Sequence, residues 1–271
     1  MIPRASDGDK AILVDDPAAD PVYSAPRCRR TCAPMRKPDA LLFDLWGTLI
    51  NSVDFDPQKG HAAVLETCDN PKGVPLDDVM DLGRRVVSAT VAREEEVALE
   101  FTQASLLRML ADAFGLRPRM SLDESEWVFW RASLQVSLID GVADLLRDVE
   151  SLGMPMGVVS NSSFAGRTLE RELETQGIRG RFQFVISSAD YGVRKPDPLI
   201  FEVALRRLGL EAGQVWFAGD NVGYDIIGAR QAGIFPVAYN PRKQIPDAVG
   251  EHAVISSWSQ LLPLIASASP A

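Results

Sequence analysis

Apolar residues along this chain follow two alternating rhythms. Short unbroken apolar runs fall at residues 41–44, 154–160, 182–187, 215–220 and 235–239, with a weaker one at 253–256. Runs this short, bounded by turn residues, read as strands buried on both faces. Between them, apolar positions recur at three- and four-residue spacing. Residues 141–152 place Val142, Leu145, Leu146 and Val149 on one face, and 168–176, 199–208, 224–232 and 259–265 repeat that period. Gly153, Gly177 and Gly209 stand where helix C-caps belong. Strands alternating with helices predict an α/β core, a parallel sheet with helices on both faces and 253–256 at its edge.

Residues 54–138 break that rhythm. No strand is evident there, and helical patterns run through 61–68, 76–90, 91–114 and 123–135, punctuated by Pro75 and by the stretch from Gly115 to Pro118. This predicts an all-helical insertion directly after the first strand. It would overhang the C-terminal strand ends, where doubly wound sheets bind ligands, and so suits a lid. The expected division is a core from 39–53 and 139–271, a helical cap at 54–138, and a disordered tail at 1–38. That tail mixes Pro, Asp, Ala and Arg with no lasting period and offers little to bury. Met35, just ahead of the first strand, is an alternative start of the chain.

Composition narrows the classes of function. Of 271 residues, 46% are apolar and 24% charged, which fits an ordinary globular protein. A net charge of −9 argues against a nucleic-acid or anionic-membrane binder, although a local positive site still admits an anionic substrate. No run approaches the roughly 20 apolar residues of a membrane span, and no apolar N-terminal core suggests a secretory signal. Cys28, Cys32 and Cys68 are too few for a disulfide framework, and Cys28 and Cys32 have no neighbouring His or Cys to complete a metal site. A cytoplasmic location is the expectation. Oligomeric state is not legible.

Four groups of polar residues follow strand ends. Asp44 closes Ala40-Leu-Leu-Phe-Asp44, and Ser160 lies in Val158-Val-Ser-Asn-Ser162. Lys195 lies in Tyr191-Gly-Val-Arg-Lys-Pro-Asp-Pro198, and Asp220 and Asp225 in Phe217-Ala-Gly-Asp-Asn-Val-Gly-Tyr-Asp225. In a parallel sheet those ends face one way, so carboxylates, a hydroxyl and an ammonium converge. A carboxylate can attack phosphorus. Several together can hold Mg²⁺, which prefers oxygen ligands. A Lys and a Ser can stabilise the oxygens of a transferring phosphoryl group. Asn161 and Asn221 also suit backbone-binding turns.

Taken in order, these four groups resemble the four motifs of the haloacid dehalogenase superfamily over residues 40 to 240. The resemblance implies a Rossmann-like core with a helical cap after the first motif. It implies Asp44 as nucleophile and Mg²⁺ ligand, with Ser160, Asn161 and Lys195 binding the phosphoryl group. Asp220, Asp225 and the backbone carbonyl of Trp46 would complete the metal site. The expected partner is a small phosphorylated substrate, with no nucleic acid and no membrane. One departure matters: the family usually has a second Asp two places after the first, and here that place holds Trp46. An indole N–H is not a working acid. The first reading is therefore a phosphatase for acyl or aryl phosphates, whose leaving groups need little protonation, or one helped by His61 or by a carboxylate among Glu94, Glu95 and Glu96. The alternatives are a metal-independent 2-haloacid dehalogenase and a weakly active or non-catalytic relative that binds phosphate or a partner. Trp127 and Trp130 fit an aromatic cap core better than a substrate slot. Arg93, Arg108 and Arg131 are candidate anion contacts.

Overall fold

A computed structural model of the chain describes residues 35–97, 100–242 and 252–269. Most of the expected tail, with Cys28 and Cys32, lies outside the described residues, as do the side chains of Arg93, Glu94, Glu95 and Glu96.

In chain order the elements are β1 (Ala40–Phe43), β2 (Ile50–Phe55), α1 (Pro57–Glu66), β3 (Cys68–Asp69), α2 (Leu76–Val97), α3 (Gln103–Phe114), β4 (Arg117–Pro118) and α4 (Leu122–Ser133). Then come β5 (Leu134–Leu138), α5 (Val142–Ser151), β6 (Met156–Ser160), α6 (Gly166–Thr175), β7 (Phe184–Ser187), α7 (Ser188–Tyr191) and α8 (Pro198–Leu208). The chain closes with β8 (Val215–Gly219), α9 (Gly228–Gln231), β9 (Phe235–Tyr239), β10 (Ala253–Ile255) and α10 (Leu261–Ser267).

Six strands form one parallel sheet in the order β10-β9-β8-β1-β6-β7. The fold is the Rossmann-like α/β class expected. Strand alternation explains why the runs are apolar throughout. Leu41 and Phe43 of β1 face one buried cluster, with Val158 and Trp216. Ala40 and Leu42 face the other, with Val159 and Phe217. A strand covered on both faces has no polar side to show. Gly153, Gly177 and Gly209 all take positive φ at helix ends, as their placement predicted.

Two expectations for residues 54–138 need correction. β2 and β5 pair antiparallel and form a ribbon at the two ends of the helical segment, and β3 pairs with β4 within it. The sequence Ile50-Asn-Ser-Val-Asp-Phe55 carries no apolar run, because a half-exposed two-stranded ribbon has little to bury. Pairing, visible only in three dimensions, defines it. The long helix expected over 91–114 is two: α2 ends at Val97, and α3 restarts after Thr102, whose side chain accepts from Ser105 N.

Helix α4 is fastened to α6 of the core by buried polar contacts. Glu126 Oε1 accepts from Ala165 N at 2.9 Å and from Thr168 Oγ1 at 2.6 Å. Trp130 Nε1 donates to Glu172 Oε2 at 2.8 Å. Outside them, Arg171 pairs with Glu124, Arg167 pairs with Asp123, and Arg171 also lies over the Trp127 ring. Burial pushes the Glu126 carboxyl above its usual range, opposed by its bonds to Thr168 and Ala165. Trp130 is fully buried in the main apolar cluster, in keeping with an aromatic-core role.

Candidate active site

The strand order places β1 between β8 and β6, so the residues following these three strands are neighbours across the sheet. Asp44 follows β1, Ser160 ends β6, and Asp220 follows β8. Lys195 arrives on the loop after α7 and is 1% exposed. Its Nζ donates to Asp44 Oδ1 and to Asp225 Oδ1, each at 2.6 Å. Burial alone would lower the ammonium's pKa, but Asp225 and Asp44 overcome it and hold Lys195 above its ordinary value. Burial pushes the Asp225 carboxyl up, with the Lys195 charge pulling the other way.

Local structure explains how each side chain is held. Asn161 grips the Lys195 backbone from both sides, accepting from its N–H at 2.8 Å and donating to its C=O at 2.9 Å. The Asn161 amide is thereby spent on the lysine loop, which matches the backbone-binding reading of this residue. Ser160 is fully buried, and its Oγ donates to Asn161 O at 3.3 Å. The helix expected at 224–232 starts instead as a π-helical turn over Val222–Ile227. Ile226 N reaches back five residues to Asn221 O, and the wide turn lets Asp225 Oδ2 accept from Asn221 N at 3.0 Å.

Two glycines leave room for the carboxylates. Gly47 has φ +70°, and a Cβ there would overlap Asp220 Oδ2. A Cβ on Gly219 would overlap the Asp225 carboxylate. Thr48 Oγ1 also lies 3.5 Å from Asp220 Oδ1. The Gly47-Thr48 pair reads in the sequence as a turn after the first strand. Its link to Asp220 spans 172 positions and carries no local signal.

Oxygens of Asp44, Asp220 and Asp225 all lie within 4.8 Å of one another. Motif order, strand order and carboxylate cluster are then matched by a family comparison: the haloacid dehalogenase-like hydrolase model fits residues 38–233. The chain belongs to the haloacid dehalogenase-like hydrolases. A phosphoglycolate phosphatase from Xanthomonas campestris pv. campestris is 31% identical over 205 residues, covering 75% of this chain and 84% of that protein. The human haloacid dehalogenase-like hydrolase domain-containing protein 3 is 34% identical over 134 residues, 47% of this chain and about half (51%) of its own length. The crystal structure of a 2-haloacid dehalogenase from Pseudomonas syringae pv. Tomato DC3000 superposes with a TM-score of 0.59 at 26% identity, covering 84% of this chain and 98% of that one. No helix among the described residues of this hydrolase is long and apolar enough to cross a membrane.

Trp46 lies two residues after Asp44 and is half-buried. Its ring lies 5.5 Å from that of Trp130, and its Nε1 is buried without a hydrogen-bond partner among the described residues. His61, a candidate substitute acid, is elsewhere. It packs edge-on against Phe129 at 4.9 Å, and Phe129 in turn meets Phe164. Burial pushes the His61 imidazole down to about 4. The ring is therefore neutral in the folded chain at any pH above that value. From pH 6.5 down to about 4 the unfolded chain takes up a proton that the folded chain refuses, so stability falls with pH by about 3 kcal/mol. Urea unfolding across this window should show that loss in the wild type and not in His61→Phe; parallel pH profiles would contradict it.

Proposed function

We propose that this hydrolase is a Mg²⁺-dependent phosphatase that works through an aspartyl-phosphate on Asp44. The observation that carries the reading is the Lys195 ammonium held between Asp44 and Asp225, with Asp220 alongside. A carboxylate approaching a phosphate ester meets charge repulsion, and a fixed cation offsets it. Lys195 has its backbone clamped by Asn161 and its ammonium aimed by two carboxylates, so its charge needs no reorganisation when substrate arrives. An Asp44 oxygen attacks phosphorus in line, the new O–P bond forms as the bond to the leaving oxygen breaks, and that oxygen keeps the electron pair. Ser160, at the end of the adjacent strand, would donate to a phosphoryl oxygen. Asn161 acts as a positioning residue for Lys195.

The donor set fits Mg²⁺. Three carboxylates within 4.8 Å offer only oxygen ligands, and against one ammonium they leave two negative charges in excess, which a divalent cation balances. Asp44, Asp220, Asp225 and the Trp46 carbonyl would hold it. Bound there, the ion would polarise the phosphoryl group and screen its charge. With Trp46 unable to protonate a leaving oxygen, small acyl or aryl phosphates are the favoured substrates. In this reading 39–53 with 139–271 is the catalytic core, 54–138 the cap over it, and the enzyme is cytoplasmic.

A dehalogenase reading has one observation behind it: the aromatic Trp46 in place of an acid, alongside the likeness to a 2-haloacid dehalogenase. Halide leaves without a proton. A Mg²⁺ titration of aryl-phosphate hydrolysis, run beside a halide-release assay on 2-haloacids, separates the two. Phosphate release that stops in EDTA and returns with Mg²⁺ is expected. Metal-independent halide release with no phosphatase activity would overturn the proposal.

A further inference from the structure

We propose that the helical segment contains a second binding site, separate from Asp44, that takes a small uncharged aromatic molecule bearing one hydroxyl, hydrogen-bonded to His61. A cavity of about 260 Å³ lies among α1, α2, α3 and the start of α4. Its lining contains none of Asp44, Ser160, Lys195, Asp220 or Asp225. Phe129 stands between His61 and the aromatic contacts that lead through Phe164 and Trp130 to Trp46. The cavity is therefore not an arm of the catalytic crevice.

The wall chemistry selects the ligand. Val64, Val79, Leu107 and Leu110 make it largely apolar. Arg108 and Asp112 also line it, but both are exposed and opposite in sign, so solvent carries their charge. A charged ligand would find no buried counterion, and desolvating it would be costly. Two buried polar residues line the cavity: Ser125, whose hydroxyl already donates to Ser121 O at 3.0 Å, and His61. His61 is 5% exposed and makes no hydrogen bond to another described residue. A neutral imidazole presents one acceptor and one donor, which suits a hydroxyl. A Cβ at Gly83 of α2 would lie 3.6 Å from His61 Nε2, an ordinary van der Waals contact. Met120 and Cys68 add sulfur to the wall, a favourable neighbour for an aromatic ring. Size agrees: a cavity of roughly 150 Å³ takes benzene, and drug-sized ligands need roughly 300 Å³ or more. One substituted ring fits between those limits.

Phenol is the probe, titrated into the full chain by calorimetry and by thermal shift. Saturable one-site binding and a raised Tm are expected. His61→Phe keeps the ring and removes the acceptor, so phenol should bind at least fivefold more weakly while toluene binds as before. Ala111→Phe, filling the cavity from α3, should weaken both at least tenfold and leave hydrolysis at Asp44 unchanged. Val79→Phe does the same from α2 should the first filling variant not fold. No saturable phenol binding by the wild type would overturn the site. So would binding indifferent to the filling variants, or binding that inorganic phosphate competes away, which would place it at Asp44.

Discussion

Lys195→Met is expected to abolish turnover and to destabilise the fold by roughly 3–5 kcal/mol, the cost of removing one partner from a buried ion pair. Asp44→Asn should be equally inactive but close to wild type in stability. The two variants differ in what they leave behind. Without the lysine, Asp44 and Asp225 face each other in the interior with no cation between them, Asp44 at 6% exposure and Asp225 at 1%. One of them must take a proton or the site must open. Without the Asp44 charge, Lys195 still pairs with Asp225, whose carboxyl is pushed up chiefly by burial and now loses the added repulsion of Asp44. Urea unfolding in EDTA, which keeps divalent cations from substituting for the ammonium, measures the contrast. Equal midpoints for the two variants would mean that Lys195 does not bind the carboxylates together. Retained hydrolysis in Asp44→Asn would remove Asp44 from its role as nucleophile.

Trp46→Asp restores the family's usual pair of carboxylates, and on sequence alone it should raise activity on alkyl phosphates. General-acid help is worth roughly 10²–10⁴-fold. The tertiary structure reverses that expectation. The Trp46 ring rests on Trp130, which packs on Phe164 at 4.8 Å and is anchored to α6 through Glu172. Removing the indole opens a gap between the turn after β1 and helix α4, at a cost of about 2–4 kcal/mol for a half-buried large side chain. It also adds a fourth carboxylate two residues from Asp44, near a cluster already rich in negative charge. Turnover of aryl and alkyl phosphates should both fall at least tenfold, with a lower Tm, whereas Trp46→Phe should keep the fold. A hundredfold gain on alkyl phosphates at unchanged Tm would show that the aromatic contact is dispensable.

Much of the site was legible because its residues follow strand ends. Asp44, Ser160 and Asp220 could be placed from apolar runs and the polar residues that stop them, since a parallel sheet aligns its C-terminal ends whatever its strand order. Lys195 was legible only through its motif, because the loop carrying it obeys no periodicity. The contacts that tune the site were not. Thr48 beside Asp220, Gly219 against Asp225, and Asn161 spent on the Lys195 backbone each join residues whose separation in sequence says nothing about their distance. The β2–β5 ribbon escaped for a related reason: half-exposed strands lack the apolar signature that marks buried ones.

The sequence by itself determined the α/β core, the helical segment after the first strand and the four groups of polar residues at strand ends. These follow from local hydrophobic period and chain order. Tertiary structure decided which polar groups are paired, buried or walled off. It put Lys195 between two carboxylates, turned Trp46 onto a tilted aromatic cluster and set His61 behind Phe129 on a cavity of its own. Burial and charge pairing depend on what the rest of the chain brings alongside, and only the packed fold contains that.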